Sequence, residues 1–481
     1  MPIKPDNGLP HQPSWTMIRH FGLKKLAALV IFLAGTPSIK AQNLSEIHQL
    51  ALQNDPALKQ SEARQAAVGE SKNQSTARFF PVITATGTSS KDYLHNKRAG
   101  AFDFRGLQVN QDFWSHTFSL NITQPLFHWD YWIQLSQSEN RIAEAEANYQ
   151  AELQNLMTRT TEAYFNVLSA QDNLSFIRAE KDAIAKQLDQ VKQQFEVGIA
   201  AITDVNEAQA GFDQAGASEI EAINQVDNAR EALYEIIGEQ EVTLDALSDR
   251  LPLKKPEPAI LSEWSHRAEL DNYHVIAALN QAESARKSID LQRNGHLPQL
   301  DVIASYNASD VNSSFGFRGD TQSVGVQLNL PLFEGGAVNS RIRQAQFEYE
   351  AAKENLIATK RSIKRQVKDA FRGVMANLSQ VAAFKAVVVS AETALTAAEA
   401  GFQVGTRTMV DVLTEQRFLY RARRDLSRSR YDYVINSIRL KQLSSNLTAA
   451  DMDQISRFLT ATPLTGDELD EPEIDAGVSN R

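Results

Sequence analysis

The sequence predicts an α+β membrane protein made of two similar halves, each with a pair of strands and with helices of unusual length. Three observations carry this. No Pro or Gly occurs over residues 126–197, and no Pro over 332–462; these residues are the ones that normally end helices. Four segments alternate apolar and polar side chains at period two, as half-buried strands do. The phrase "FEVGIAAITDV" (195–205) returns as "FQVGTRTMVDV" (402–412), with Phe195/Phe402, Val197/Val404, Gly198/Gly405, Asp204/Asp411 and Val205/Val412 all offset by 207.

From the N-terminus, the first element reads as a leader. Mean hydropathy is −0.35, and the apolar run at 26–34 is too short to span a bilayer, which takes about 20 residues. It follows Arg19, Lys24 and Lys25 and precedes the small residue Ala41, so residues 1–41 read as a secretory signal peptide. Met17 stands at its natural start, which makes 1–16 an upstream extension. The chain has no cysteine, so an exported protein of this size depends on packing or oligomerisation, and no lipidated cysteine follows the cut. The formal charge is −10; residues 1–41 hold five basic residues and one acidic residue, which leaves −14 after cleavage. Nucleic acid is therefore not an expected partner.

The first repeat is expected over 42–250 as helix, two strands, long helix, turn and helix. A linker follows at 251–263, the second repeat at 264–450, and a C-terminal segment with an acidic tail at 451–481. "ITQPLF" (122–127) pairs with "NLPLF" (329–333), and the segments around Pro81 and Pro298 pair at an offset of 217, so the first half holds about ten extra residues between its two prolines. At ~1.5 Å per residue the uninterrupted helices would be about 100 Å long, far beyond globular helices, and so coiled coil or something like it. Their apolar residues agree. Ile177, Ile184, Leu188, Val191 and Phe195, and Ile363, Val367, Val374, Leu378, Val381 and Val388, step by threes, fours and sevens, the spacing of a packed seam. Ala143, Ala145, Ala147, Ala391, Ala394, Ala397 and Ala398 favour helix and close approach.

In the strands, Phe118, Leu120 and Ile122 share one face, as do Val324, Val326, Leu328 and Leu330, and Leu300, Val302, Ala304 and Tyr306; a fourth strand lies near 82–89 with weaker alternation. One apolar face fits a soluble sheet packed on helices or a membrane β-barrel facing lipid. The long helices already have each other as partners and the chain is exported, so the barrel is the stronger reading. Four strands cannot close a barrel, and lipid tolerates no open edge. Two chains would give eight strands with a filled lumen, and three would give twelve with a pore. The loops 89–112 and 307–321 would then be extracellular. Trp114, Trp129, Tyr131 and Trp132 flank the second strand, as interfacial aromatics or as sheet-to-helix packing.

Segments spread over nearly the whole mature chain resemble the outer-membrane efflux protein family. They include "EAYFNVLSAQDNLSF" (162–176), "AITDV" (201–205), "GHLPQLD" (295–301), "GGAVNSRIRQAQ" (335–346), "VGTRTMVDVL" (404–413) and "RYDYVINSIRLKQLSSNLTAADM" (430–452). The resemblance implies a homotrimer whose shared 12-stranded barrel spans the outer membrane. An α-helical barrel continues it into the periplasm, with 451–481 as equatorial segment and tail. It also implies no enzyme activity and no cofactor or metal. The implied partners are a periplasmic adaptor and an inner-membrane pump of the RND, ABC or MFS class, or a type I secretion system. In that family the helix–turn–helix tips close the periplasmic entrance. Carried over, Arg407 would hold Thr203 and Asp204. Phe402 stands where the family has a tyrosine, so that hydroxyl's hydrogen bond is missing. Asp411 matches one of two constriction acids, and Thr414 replaces the other.

Each site residue also has a plain structural reading. Asp411 with Thr408 fits a capping box, and Asp204 with Glu207 could cap as well. Arg407 could be a solvated charge, worth little as a surface pair; Ala200 holds its place in the first repeat. Gly198 and Gly405 read as helix stops, Gly335-Gly336 as a strand-to-helix turn, and the Pro-containing tail "GDELDEPEID" (466–475) as disordered. The nine histidines show no metal-ligand spacing. Rival readings are an exported structural coiled-coil protein, which leaves the four strands unexplained, and a periplasmic adaptor, which needs only one hairpin.

Overall fold

The structure, a computed structural model, describes residues 41–94, 111–248, 250–313 and 317–460. The leader with its extension, most of the loop expected at 89–112 and the acidic tail lie outside the described residues. The first half runs α1 (Leu44–Asn54), α2 (Pro56–Ala77), β1 (Val82–Leu94), β2 (Gln111–Phe127), α3 (Trp129–Glu196) and α4 (Ile202–Ile237). After the short β3 (Ala246–Leu247) the same order returns as α5 (Leu261–Asp271), α6 (Tyr273–Arg293), β4 (Gln299–Val311), β5 (Arg318–Asn329), α7 (Ala337–Gln403) and α8 (Met409–Leu443). The chain closes with α9 (Ala449–Ser456) and β6 (Leu459–Thr460).

Where one helix was expected ahead of each strand pair, there are two, and α5 begins inside the stretch expected as linker. Asp55 breaks the first: its carboxylate accepts from the Leu58 N–H at 2.7 Å, with Pro56 at the first helical position, where a missing N–H costs nothing. Asn272 breaks the second by accepting from the His274 N–H at 3.0 Å. Asp55 and Asn272 stand 217 apart, the same offset as Pro81 and Pro298.

The strands form one antiparallel sheet in the order β1-β2-β4-β5. Their register lines up the apolar residues in rows. Ile83 faces Ile122, which faces Ala304, which faces Val324. The neighbouring row on the other face is Thr84, Asn121, Ser305 and Ser323, with the two serine hydroxyls 2.8 Å apart. One face is thus mainly apolar and the other mainly polar at this level of all four strands, including the weakly patterned β1, with Val82 and Ile303 as exceptions on the polar face. The strands, of 13, 17, 13 and 12 residues, outrun the alternating stretches by which they were recognised, and both hairpin loops are shorter than expected. Polar pairs such as Ser90–Ser115 and Asp310–Arg318 continue the ladder. Backbone pairing does not need the apolar alternation by which the strands were recognised. Leu330 falls one residue beyond β5. Pro125 lies inside β2, at a register shift against β4, the position where an interior strand tolerates proline.

The helices repeat the sheet's order. Next to the strands α2 packs on α3, α3 on α6 and α6 on α7; toward the far ends α4 packs on α3, α3 on α8 and α8 on α7. The elements at one flank are β1, α2 and α4, and those at the other are β5 and α7. Helices α3 and α7, of 68 and 67 residues, run through both layers. Ile177, Ile184, Leu188 and Val191, and Ile363, Val367, Val374, Val381 and Val388, are buried as the seam spacing predicts. Phe195 is not: it is 43 % exposed, because the seam runs out where α3 ends. Among the described helices α7 alone is long and apolar enough to cross a membrane by length and composition, with a window of mean hydropathy 1.5 of which 22 % is buried. An unpartnered flank accounts for such exposed apolar character.

Halfway along α3, Tyr164, Phe165, Val167 and Leu168 anchor the largest core cluster, which draws on both halves and on α1 and α9. Tyr164 Oη donates to the backbone oxygen of Asp245 at 2.8 Å, and β3 pairs with β6, so the C-terminal segment is sewn to the first half at this level.

Candidate functional site at the hairpin tips

Both long hairpins end in the same turn. Gly198 and Gly405 have φ of +79° and +77°, a conformation that favours glycine. The Ile199 N–H donates to the Gln194 oxygen at 2.8 Å and the Gly198 N–H to the Phe195 oxygen at 2.9 Å; Thr406 to Gly401 and Gly405 to Phe402 repeat this at 2.8 and 3.0 Å. These are paired Schellman closures. The two glycines are helix stops, and Gly336, with φ +82°, precedes α7 as expected.

The tips then diverge. In the second, Thr408 and Asp411 form a full capping box. Asp411 Oδ2 accepts from the Thr408 N–H at 2.8 Å and from its hydroxyl at 2.9 Å. The Asp411 N–H reaches the Thr408 hydroxyl at 3.3 Å. The backbone hydrogen bond from Thr408, then its hydroxyl, with a further pull from Arg407, hold the Asp411 carboxyl below the ordinary value of 3.8. In the first tip only half of this arrangement exists. Asp204 accepts from the Ala201 N–H at 3.1 Å, and Ala201 has no side-chain oxygen to reciprocate. Glu207 takes no part in the cap.

Behind the turns one apolar cluster joins both hairpins: Ile184, Leu188 and Val191 from α3, Ala208 and Ala215 from α4, Ala398 from α7, and Met409, Val412 and Leu413 from α8. Phe402 packs against it. The ring that lacks the family's hydroxyl is thus used for apolar contact. Thr414 donates to the Val410 oxygen at 2.7 Å, a local bond along its own helix. Val197, Ile199 and Val404 are 70 %, 78 % and 74 % exposed, an apolar end on both turns.

The structure does not join Arg407 to Thr203 and Asp204 within one chain. Thr203 and Arg407 are exposed, and among the described residues neither side chain makes a hydrogen bond or ion pair within the chain. Two further residues of the second tip escaped the sequence reading, Gly401 and Thr406. The Gly401 oxygen accepts from the Thr406 N–H at 2.8 Å, the Arg407 N–H at 3.2 Å and the Thr406 hydroxyl at 3.0 Å. The signal was present in the 207-residue offset, which sets Gln194 against Gly401 and Ile199 against Thr406. No group of His, Asp or Glu among the described residues is arranged to hold a metal ion.

At the opposite end the expected aromatics divide. Trp114, Trp129 and Trp132 are 51 %, 50 % and 57 % exposed. Tyr131 instead stacks on His128, ring centroids 4.5 Å apart, so packing claims it. Trp114 stands near the start of β2 and Trp129 just past its end; the 17-residue strand spans roughly 55 Å at ~3.4 Å per residue, enough for a tilted strand to cross an outer membrane.

A four-stranded sheet with one apolar face, polar residues on the other, aromatic ends and two unpaired edges, continued by long paired helices, defines a subunit of an outer-membrane channel-tunnel. The family model "Outer membrane efflux protein" matches residues 47–239 and 264–446, and the chain belongs to that family. It is 36 % identical over 445 residues to the outer membrane protein TolC of Vibrio cholerae, covering 91 % of this chain and 99 % of that protein. It is 28 % identical over 423 residues to the alkaline protease secretion protein AprF of Pseudomonas aeruginosa, covering 86 % and 87 %. Among solved structures, CusC superposes with a TM-score of 0.72 at 17 % identity, covering 84 % of this chain and 92 % of that one. The protein is an outer-membrane channel that reaches into the periplasm.

Proposed function

We propose that three copies of this chain close one passive exit duct, gated at the hairpin tips, for small toxic compounds, proteins or both. The observation that carries this is the shared order of sheet and long helices, which among the described residues leaves the same two flanks unpaired in the sheet and toward the hairpin tips. Lipid excludes an open sheet edge, so β5 of one copy needs β1 of another. Twelve strands leave a pore where eight leave a filled lumen. The same rotation sets α7 of one copy beside α2 and α4 of the next.

That closure also gives Arg407 a partner. It sits at the α7 end of the second tip, on the flank that meets the next copy's α4, whose first turn carries Thr203 and Asp204. The latch is therefore between subunits: Arg407 holds Thr203 and Asp204 of the partner subunit, while Phe402 contributes packing inside its own chain. Asp411 caps α8 and also contributes one carboxylate per subunit to a ring at the constriction, which attracts cations. The duct makes and breaks no bonds and takes no cofactor. It docks a periplasmic adaptor and an inner-membrane RND, ABC or MFS pump, which supplies the energy. A secretion protein among the relatives supports protein cargo. Residues 42–250 and 264–450 act as the two halves of the subunit, joined by 251–263.

The test is single-channel recording in planar bilayers, with a heat-modifiability gel as the assay of assembly. Arg407→Ala and the double variant Thr203→Ala/Asp204→Ala should each raise resting conductance while the trimer band persists. Unchanged conductance in both would remove the latch, and extraction of the wild type as a soluble monomer would remove the duct.

A further inference from the structure

We infer that Gly401 is a positioning residue that aims Arg407 out of its own subunit, an inference that rests on the intersubunit latch proposed above. Gly401 lies in the last turns of α7, where glycine is a poor helix former. Its φ is ordinary, so its backbone conformation does not require glycine. Space does. A Cβ built at Gly401 would fall 2.7 Å from Arg407 Cγ, 3.2 Å from Thr406 Oγ1 and 3.3 Å from Arg407 Cβ. The closest of these atoms lies near the root of the arginine, not at its flexible end, so a methyl group there moves the whole side chain. The turn cannot yield easily either, because the Gly401 oxygen is bound by the Thr406 and Arg407 N–H groups and the Thr406 hydroxyl. Arg407 is thus laid across the end of α7 by a backbone clamp on one side and a missing methyl on the other.

The first tip supplies the contrast. Gln194 stands in the place of Gly401, Ile199 in that of Thr406 and Ala200 in that of Arg407. With no long stem to pass there, the side chain at 194 is allowed, and the helix keeps a better former. All three differences belong to one device.

Conductance of the full-length protein in planar bilayers tests this with Gly401→Ala, Arg407→Ala, their double variant and Gln194→Ala as control. Alanine at position 401 should strengthen the helix, so a leak cannot come from fraying. Gly401→Ala is expected to raise resting conductance by at least about half the increase given by Arg407→Ala, and the double variant to add nothing further, since residues acting through one contact are not additive. Gln194→Ala should leave conductance unchanged. If Arg407→Ala opens the channel and Gly401→Ala does not, or if the two effects add, the positioning role is overturned and the latch stands. If Arg407→Ala has no effect, the latch itself falls. A second readout uses the absence of native cysteine. The Arg407→Cys/Asp204→Cys variant should form an intersubunit disulfide under a mild added oxidant, which checks independently that the two tips meet. Absence of that disulfide would remove the latch.

Discussion

Arg159 donates to both carboxylate oxygens of Asp55, Nη1 to Oδ2 at 3.1 Å and Nη2 to Oδ1 at 3.2 Å. Asp55 is 2 % exposed and caps α2 with the same group. Arg159 also reaches Glu152 at 2.8 Å. One arginine of α3 thereby fixes the break between α1 and α2, and with it the angle at which the chain enters the flank of the subunit.

Removing this arginine strands a buried carboxylate. Breaking a buried pair from one side costs ~3–5 kcal/mol; the Arg159 side chain is 31 % exposed, which places Arg159→Ala at the low end. Thermal unfolding followed by circular dichroism should show the loss, and Asp55→Asn, which retains a capping oxygen, should lose less. Equal losses would mean that the stranded carboxylate carries no penalty of its own.

Asp411 is expected to serve two purposes, which two variants separate. Thr408→Ala breaks the capping box and should leave block by multivalent cations from the periplasmic side intact. Asp411→Asn keeps an oxygen for the cap and should weaken that block. Because the caps lower the pKa of Asp411, its contribution to the folded state is present above 3.8 and is lost only as pH falls through the lower folded value. Both recordings are therefore made at pH 7, well above that range. Block unaffected by Asp411→Asn would take the residue out of the constriction.

His48 carries a pH dependence of opposite origin. Burial lowers its pKa below 6.5, with Asp453 pulling weakly the other way, and its Nδ1 has no hydrogen-bond partner. The unfolded chain therefore binds the proton more readily than the folded one. Stability is retained above 6.5 and declines as pH falls from there through the folded value. His48→Gln should flatten the dependence of melting temperature on pH between 5 and 7; an unchanged slope would assign it to other groups.

The two faces of the sheet should respond differently to charge. Val324, 81 % exposed in the middle of β5, lies on the apolar face, and Thr321 on the polar one. Val324→Arg should cost ~2–4 kcal/mol, the penalty for arginine near the membrane midplane, and should lower the temperature at which the trimer dissociates on a heat-modifiability gel. Thr321→Arg should leave that temperature alone and shift ion selectivity toward anions. Equal dissociation temperatures would contradict the assignment of the apolar face to lipid.

Local periodicity and the internal duplication were legible in the chain itself. Phe118, Leu120 and Ile122 announce a strand because side chains alternate at period two, and Ile184, Leu188 and Val191 announce a seam because helix geometry brings threes and fours to one face. Gly198 and Gly405 announce turns because few other residues adopt their φ. The tertiary structure decided what depends on distant partners or on space. Pairing of β2 with β4 joins the two halves and sets the order that leaves both flanks open. Burial keeps Ile184 in the seam and releases Phe195. Thr408 claims the Asp411 carboxylate, the Arg407 side chain finds no hydrogen-bond or ion-pair partner among the described residues of its own chain, and Gly401 owes its identity to a side chain six residues away. Periodicity is a property of the backbone that every residue inherits, whereas a contact exists only once the fold brings two particular atoms together.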